Sequence, residues 1–290
     1  MEKYILWNGD ILTKEEKDSF VSFEDRGYQF GDGVYEVIRL YKGMAHLLGP
    51  HLERLFRSMK ELEIVSPFTK EQLIDQLEKL IAKNHFDEDG NLYIQVTRGI
   101  QPRNHVYERD LTAVYFAKID QFPKPLDLMQ NGVHVTVMED IRWLRCDIKS
   151  LNLLPNVMAK ASAQRKGCYE PLFVRDDIVR ECGSANFFLI KDGVLITHPA
   201  NNLILNGITR MHVLQLAKEL TIPVEEREIA REELYTADEC FLTATPIEIV
   251  PITAIDDHIV NGGEVGEITR KLQAAYEQSL TEWKHEVGLV

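Results

Sequence analysis

Read by the spacing of its apolar and polar positions, the chain opens as β-sheet. Tyr4 and Leu6 lead into Asn8-Gly9, a dipeptide that turns hairpins, and Val34 to Tyr41 repeats with a period of two before a Lys42-Gly43 turn. From His51 to Ile64 the period changes. Leu52, Leu55, Phe56, Met59 and Leu62 fall on one helical face, which predicts a helix packed on that sheet. Thr69 followed by Gln72 is a capping-box signature for a second helix reaching Asn84. Strands are predicted near 91–98 and 111–118, joined by a long polar loop with Pro102, Arg103, Asn104 and His105. Loops of that length often carry function.

The stretch 119–127, IDQFPKPLD, holds two prolines and no periodicity, as a connection between domains does. The expected organisation is a smaller N-terminal α+β domain over 1–120, a linker at 121–128 and a larger α+β domain over 129–290. The second part reads as strands near 132–138, 170–174, 186–196 and 238–243, with helices near 155–166, 208–220 and 266–284. This order lacks the regular βαβ beat of a doubly wound sheet, so the fold class is α+β.

Composition narrows the function. The 290 residues, 44% hydrophobic, suffice for a folded core, and no apolar run approaches the roughly 18 residues that a membrane helix needs. The opening residues lack the apolar stretch of a signal peptide, so the expected location is cytoplasmic. Four widely spaced cysteines, with no C-x-x-C pair, disfavour zinc sites and disulfide frameworks, and no metal is expected. A formal charge of -13 repels phosphate backbones and anionic lipid, which argues against nucleic-acid and membrane partners. Dinucleotide, Walker, H-E-x-x-H and G-x-S-x-G motifs are all absent.

The chemistry is therefore sought in scattered segments. RGYQFGDGVYEV at 26–37, IQVTRGIQPRNH at 94–105, EDIRWLRCDIKSLNLL at 139–154, THPANNLILNGITR at 197–210 and GEITRKLQ at 266–273 occur in that order. Together they resemble the fold-type IV pyridoxal-phosphate-dependent aminotransferases, and within them the D-amino-acid aminotransferases. The resemblance runs along nearly the whole chain. It implies two α/β domains with pyridoxal 5'-phosphate between them, a homodimer, and transfer of an amino group between D-amino acids and 2-oxo acids such as pyruvate and 2-oxoglutarate.

The site residues follow from the same resemblance. Context alone makes Lys149 a solvated group at a strand end; the resemblance makes it the Schiff-base lysine and the proton carrier. Such an amine must be neutral, although free lysine titrates near ~10.4. Glu181, otherwise a turn residue after Arg175–Asp177, becomes the acidic partner of the cofactor's ring nitrogen. The usual Glu-Gly-Ser there is Glu181-Cys182-Gly183, and Ala185 lacks a hydroxyl found in close relatives. Ile208 and Thr209, at a helix start after Asn206-Gly207, offer N–H groups to the phosphate, with Arg54 as its charged clamp and Thr245 as a further hydroxyl.

Tyr35, Arg103 and His105 are the implied carboxylate-binding residues. On context alone the Tyr is half-buried packing, and the Arg and His are solvent-exposed loop groups. Within the fold, a branched-chain L-amino-acid aminotransferase, an (R)-amine transaminase and an aminodeoxychorismate lyase are alternatives, and the Arg-x-His spacing disfavours all of them. A catalytically silent binding or scaffold protein is a further alternative, which retention of Lys149, Glu181, Arg54 and Thr245 together disfavours.

Overall fold

A computed structural model describes residues 3–17 and 21–289. The chain divides into two compact units, one of residues 1–124 with 148–153, the other of 125–147 with 154–290. Lys149, expected with the C-terminal half, therefore folds with the N-terminal one.

The first unit holds β1 (Tyr4–Trp7), β2 (Asp10–Thr13), α1 (Lys14–Lys17), α2 (Arg26–Phe30), β3 (Gly33–Tyr41), β4 (Met44–Ala45), α3 (Leu48–Glu61), α4 (Lys70–Asn84), β5 (Gly90–Thr97) and β6 (Val114–Gln121). Its six strands form a sheet in the order β2-β1-β6-β5-β3-β4. Alternation gives that sheet one apolar face. Val34 and Ile38 on β3, and Leu92, Ile94 and Val96 on β5, bury against Leu52, Leu55 and Met59 of α3 and against Leu73, Leu77 and Leu80 of α4. The capping box forms as the sequence indicates: Gln72 N donates to Thr69 Oγ1 at 3.2 Å, and Thr69 N donates to Gln72 Oε1 at 2.8 Å. Such a cap contributes about 1 kcal/mol.

Two boundaries differ from the sequence reading. Helix α3 starts at Leu48, because Leu47 takes a left-handed conformation that launches it and Pro50 is tolerated in a first turn, where no N–H is needed. Strand β6 runs on to Gln121 through paired register with Gly90, so the first residues of the expected linker are sheet. The short helix α2 carried no periodicity long enough to announce it.

The second unit holds α5 (Leu126–Asn131), β7 (Val133–Glu139), α6 (Leu154–Arg165), β8 (Glu170–Arg175), β9 (Ile178–Cys182), β10 (Asn186–Lys191), β11 (Val194–Thr197), α7 (Ile208–Glu219), β12 (Val224–Glu226), β13 (Ile229–Ala230), β14 (Glu239–Ala244), β15 (Glu248–Ile255), β16 (His258–Ile259) and α8 (Glu267–Glu286). Its sheet runs β12-β11-β10-β14-β15-β7-β8-β9-β13, with β16 added on β15. Helices α7 and α8 supply Val213, Leu216, Leu272 and Tyr276 to a core with Phe188, Ile190 and Phe241. The expected single strand 186–196 is a hairpin, broken where Asp192 and Gly193 both take positive φ. Strand β15 was missed because Pro251 lies inside it. It is central, and its pairing with β7 slips between Ile252 and Ala254, beside the residue that has no N–H to give.

Candidate active site

Lys149 is held as an added edge of the first sheet. Tyr35 N donates to Lys149 O at 3.0 Å, Leu151 N donates to Gly33 O at 3.0 Å, and Val34 and Ser150 form an antiparallel bridge. On the other side, Lys149 N donates to the buried Ser58 Oγ of α3 at 3.3 Å. A side chain at Gly33 would lie 2.6 Å from Val96 O and 2.7 Å from Leu151 Cδ1, so glycine is what lets the segment approach. The half-buried Lys149 Nζ stands 4.3 Å from the centre of the Tyr35 ring and makes no ion pair with any described residue. The structure thus brings Lys149 and Tyr35 together.

Arg54 lies on the helix side of the same sheet. Its Nε and Nη2 donate to Glu36 Oε1 and Oε2 at 2.7 and 2.9 Å, and His51 Nδ1 meets Glu36 Oε2 at 2.8 Å. Burial pushes the Glu36 carboxyl up, but Arg54 and His51 together hold it down at about 2. The fork fixes the guanidinium plane, as bidentate recognition of a phosphate requires. Sequence reading treated Arg54 as a surface charge or a clamp and did not single out Glu36. A charge on the apolar side of a period-two strand, between Val34 and Ile38, was the available signal.

Burial lowers the pKa of His51 from 6.5, with Glu36 opposing, and burial also lowers His198 and His212. These rings fold neutral. The unfolded chain takes up protons near 6.5 that the native chain does not, so their stabilisation is complete above that pH and is lost as pH falls through it. The thermal midpoint is expected to drop between about pH 7 and pH 5. A midpoint that stays flat or rises over that range in a denaturation series contradicts this.

Glu181 is in strand β9 rather than a turn, and it is 5% exposed. Arg142 Nη1 donates to its Oε1 at 2.6 Å, Asn186 Nδ2 to its Oε2 at 2.9 Å, and Leu205 N lies 3.2 Å from both oxygens. Burial raises its pKa, and Arg142 opposes that rise. Arg142 is itself set by Asp140, through Nε at 2.9 Å and Nη2 at 3.0 Å. A second charge-bearing N–H meeting Glu181 would find a desolvated carboxylate with lone pairs to spare. Neither Asp140 nor Arg142 was singled out from the sequence, where Asp-x-Arg is a common surface pattern.

Asn186 links this carboxylate to the start of α7. Its Nδ2 also donates to Leu205 O at 2.7 Å, and a side chain at Gly207 would lie 2.1 Å from Asn186 Oδ1. Gly207 is the N-cap of α7, with no side chain capping the helix, so the N–H groups of Ile208 and Thr209 open the helix with its positive end. Thr209 is buried and Thr245 half-buried just after β14. Strand β14 pairs Thr243 with Asn186. Glu181 thus bonds Asn186, Gly207 at the α7 start packs against it, and Thr243, two residues before Thr245, pairs with its backbone. Arg103 and His105 are not brought to Tyr35; they are exposed and contact Phe30, at 4.4 Å from its ring centre for the Arg103 guanidinium and 5.5 Å for the His105 ring.

The first unit holds an amine with no ion pair among the described residues, and the second a buried carboxylate and a helix start with no capping side chain; each taken by itself suits one part of a phosphorylated pyridine aldehyde. The family model described as amino-transferase class IV matches residues 33–255. The chain belongs to the class IV amino-transferases. The aminotransferase is 47% identical over 280 residues to a D-alanine aminotransferase of Listeria monocytogenes, covering 96% of each chain. To one of Bacillus licheniformis it is 45% identical over 276 residues, covering 95% of this chain and 96% of the other. Its fold matches the branched-chain amino acid aminotransferase from Thermobaculum terrenum in its PLP form, with a TM-score of 0.85 at 29% identity over 96% of this chain and 94% of that one. The aminotransferase has the class IV fold, and no helix among its described residues is long and apolar enough to cross a membrane.

Proposed function

We propose that this aminotransferase moves the amino group reversibly between D-amino acids, D-alanine and D-glutamate among them, and the 2-oxo acids pyruvate and 2-oxoglutarate. The carrying observation is the 45–47% identity, over nearly the whole chain, to D-alanine aminotransferases. The cofactor is pyridoxal 5'-phosphate, which when bound supplies an electron sink for the bonds at the amino acid's α-carbon.

Lys149 would hold the cofactor through its amine, and the same amine would move the α-proton. Tyr35 lies beneath that amine and restricts its swing. Glu181, whose pKa rise Arg142 opposes, would face the ring nitrogen, while Arg54, Ile208, Thr209 and Thr245 would bind the phosphate through guanidinium, helix-start N–H groups and hydroxyl. Across a homodimer, Arg103 and His105 from one copy and Tyr35 from the other would take the substrate carboxylate, and the side on which it is held decides which face of the α-carbon Lys149 meets. The aminotransferase works as a homodimer, and the exposed apolar side chains Phe23, Tyr28 and Val106 suit a face that a second copy covers. Its four free thiols suit the cytoplasm.

The test mixes the yellow holoenzyme separately with D-alanine and with L-leucine and follows the visible absorption of the bound cofactor. D-Alanine alone is expected to bleach it. Bleaching by L-leucine alone would transfer the enzyme to the branched-chain reading and strip Arg103 and His105 of their role.

A further inference from the structure

Arg103 and His105 lie on a loop with no regular structure, yet substrate selection by a carboxylate trap demands that both be fixed before substrate arrives. The loop's order comes from a buried ion network that the reaction itself does not use. Arg26, the first residue of α2 and 3% exposed, spends its whole fork there. Its Nη1 donates to Asn104 O at 2.6 Å, its Nη2 to His105 O at 3.4 Å, and its Nε to Asp32 Oδ2 at 2.8 Å. Two consecutive carbonyls of the Arg103–His105 segment thus hang on one side chain.

Asp32 is the anchor of that side chain. It also receives Arg98 Nε at 2.8 Å and Nη2 at 2.9 Å, and Arg98 in turn donates to Leu62 O and Glu63 O at the end of α3, at 2.6 and 3.1 Å. The aromatic Tyr107 closes the far end of the loop, its ring centre 3.6 Å from the Arg98 guanidinium and its hydroxyl donating to Glu63 Oε2 at 2.7 Å. Phe30, one turn along from Arg26, has the guanidinium of Arg26 at 4.8 Å from its ring centre and that of Arg103 at 4.4 Å, with the His105 ring at 5.5 Å. One phenyl ring therefore sets the places of both trap side chains.

The base beneath is rigid. Arg26 N donates to Gly99 O, Gln101 N to Glu24 O, and Arg98 N to Asp32 O, so 24–32 and 98–101 are laced together. Gly27 packs so closely that a side chain there would lie 2.3 Å from Thr97 Cγ2.

We propose that Arg26, Asp32 and Phe30 are positioning residues for substrate binding, which hold the 103–105 segment so that Arg103 and His105 meet a D-amino-acid carboxylate preformed. This inference rests on the carboxylate role given above to Arg103 and His105. Arg26 orients the backbone, Phe30 the side chains, and Asp32 joins both to the end of α3. The lysine cannot replace the arginine, because an ammonium is a point donor and cannot span two carbonyls and a carboxylate in one plane.

The experiment compares Arg26→Ala, Arg26→Lys, Phe30→Leu and Arg103→Ala holoenzymes, reading KM and kcat for D-alanine together with amide hydrogen exchange over residues 102–108. Arg26→Ala is expected to raise KM about 10- to 100-fold with a smaller change in kcat, since displacing a binding group by about 1 Å has effects of that order. Exchange over 102–108 is expected to quicken in parallel, while exchange in β3 and β5 stays as in the parent. Arg26→Lys is expected to behave like Arg26→Ala. Phe30→Leu leaves the buried ion network whole, so it keeps the test open if Arg26→Ala does not fold, and it is expected to raise KM without quickening exchange at the backbone amides.

Faster exchange with an unchanged KM, or a raised KM with unchanged exchange in Arg26→Ala, would overturn the positioning role. So would a parent-like KM in Phe30→Leu while Arg103→Ala raises it. If Arg103→Ala itself leaves KM unchanged, the carboxylate reading falls, whereas the exchange data still decide whether Arg26 orders the loop.

Discussion

Lys149→Ala is expected to abolish turnover while leaving the fold intact. The segment is held by its backbone, through Tyr35 N to Lys149 O, Lys149 N to Ser58 Oγ and the Val34–Ser150 bridge, none of which uses the side chain. Truncation removes only the contact of Nζ with the Tyr35 ring, worth about 0.5–1 kcal/mol at such a site. The rate loss is of a different order. A side chain that moves the reacting proton contributes about 10²–10⁴-fold, and loss of the covalent attachment adds to that. Steady-state assays with D-alanine and pyruvate, beside a melting curve matching the parent, are the check. A folded Lys149→Ala enzyme within a few-fold of the parent's kcat would remove the lysine from the mechanism, and partial recovery by added methylamine would support its role as proton carrier.

Glu181→Gln is the second large effect. Glutamine keeps the shape and can still accept from Leu205 N and Arg142, but it removes the negative charge that β9 has buried there. A hydrogen bond to a charged group is worth about 1.5–3 kcal/mol, which corresponds to roughly 10- to 150-fold in rate if it is strengthened only during reaction. The loss falls on kcat, since the phosphate is held elsewhere. Arg142 keeps Asp140, at 2.9 and 3.0 Å, so it is not stranded, and the variant is expected to fold. Parent-like kcat in a folded Glu181→Gln enzyme would show that no charge develops against this carboxylate.

The carboxylate also bears on cofactor binding. Burial raises the pKa of Glu181 above its unfolded value, so the stability this group contributes is fully present at low pH and is lost as pH rises through the folded value. Arg142 and the backbone N–H of Leu205 oppose that rise in the protein. A cationic ring nitrogen arriving at Glu181 offsets it further, which ties binding to the protonated form of the ring.

Much of the architecture was legible along the chain because it is local. The Thr69–Gln72 capping box and the Asn8-Gly9 and Lys42-Gly43 turns specify themselves within four residues, and the period-two and helical spacings of β3, β5, α3 and α4 follow from which face is buried. Strand β15 was hidden because a proline ordinarily ends a strand; it is held in the sheet by β14, the preceding arm of its hairpin, and by β7, far away in sequence. The split of 186–196 into a hairpin was hidden for the opposite reason, since both arms are buried and apolar on either side of Asp192 and Gly193.

Of the site, residue types and segments were readable and partners were not. The sequence by itself determined a two-part α+β chain with no metal or nucleotide motif, and the segments that resemble class IV aminotransferases, with Lys149, Glu181, Arg54 and Arg103 among them. Tertiary structure alone decided that Lys149 folds with the N-terminal sheet, that Glu36 and His51 fix Arg54, that Arg142 pairs with the buried Glu181, and that Arg26 carries the loop of Arg103 and His105. The physical reason is range. Hydrophobic period and turn chemistry act over a few residues, whereas a buried charge is stable only beside a counter-charge, and these partners lie from two residues away, as Asp140 from Arg142, to 66, as Asp32 from Arg98.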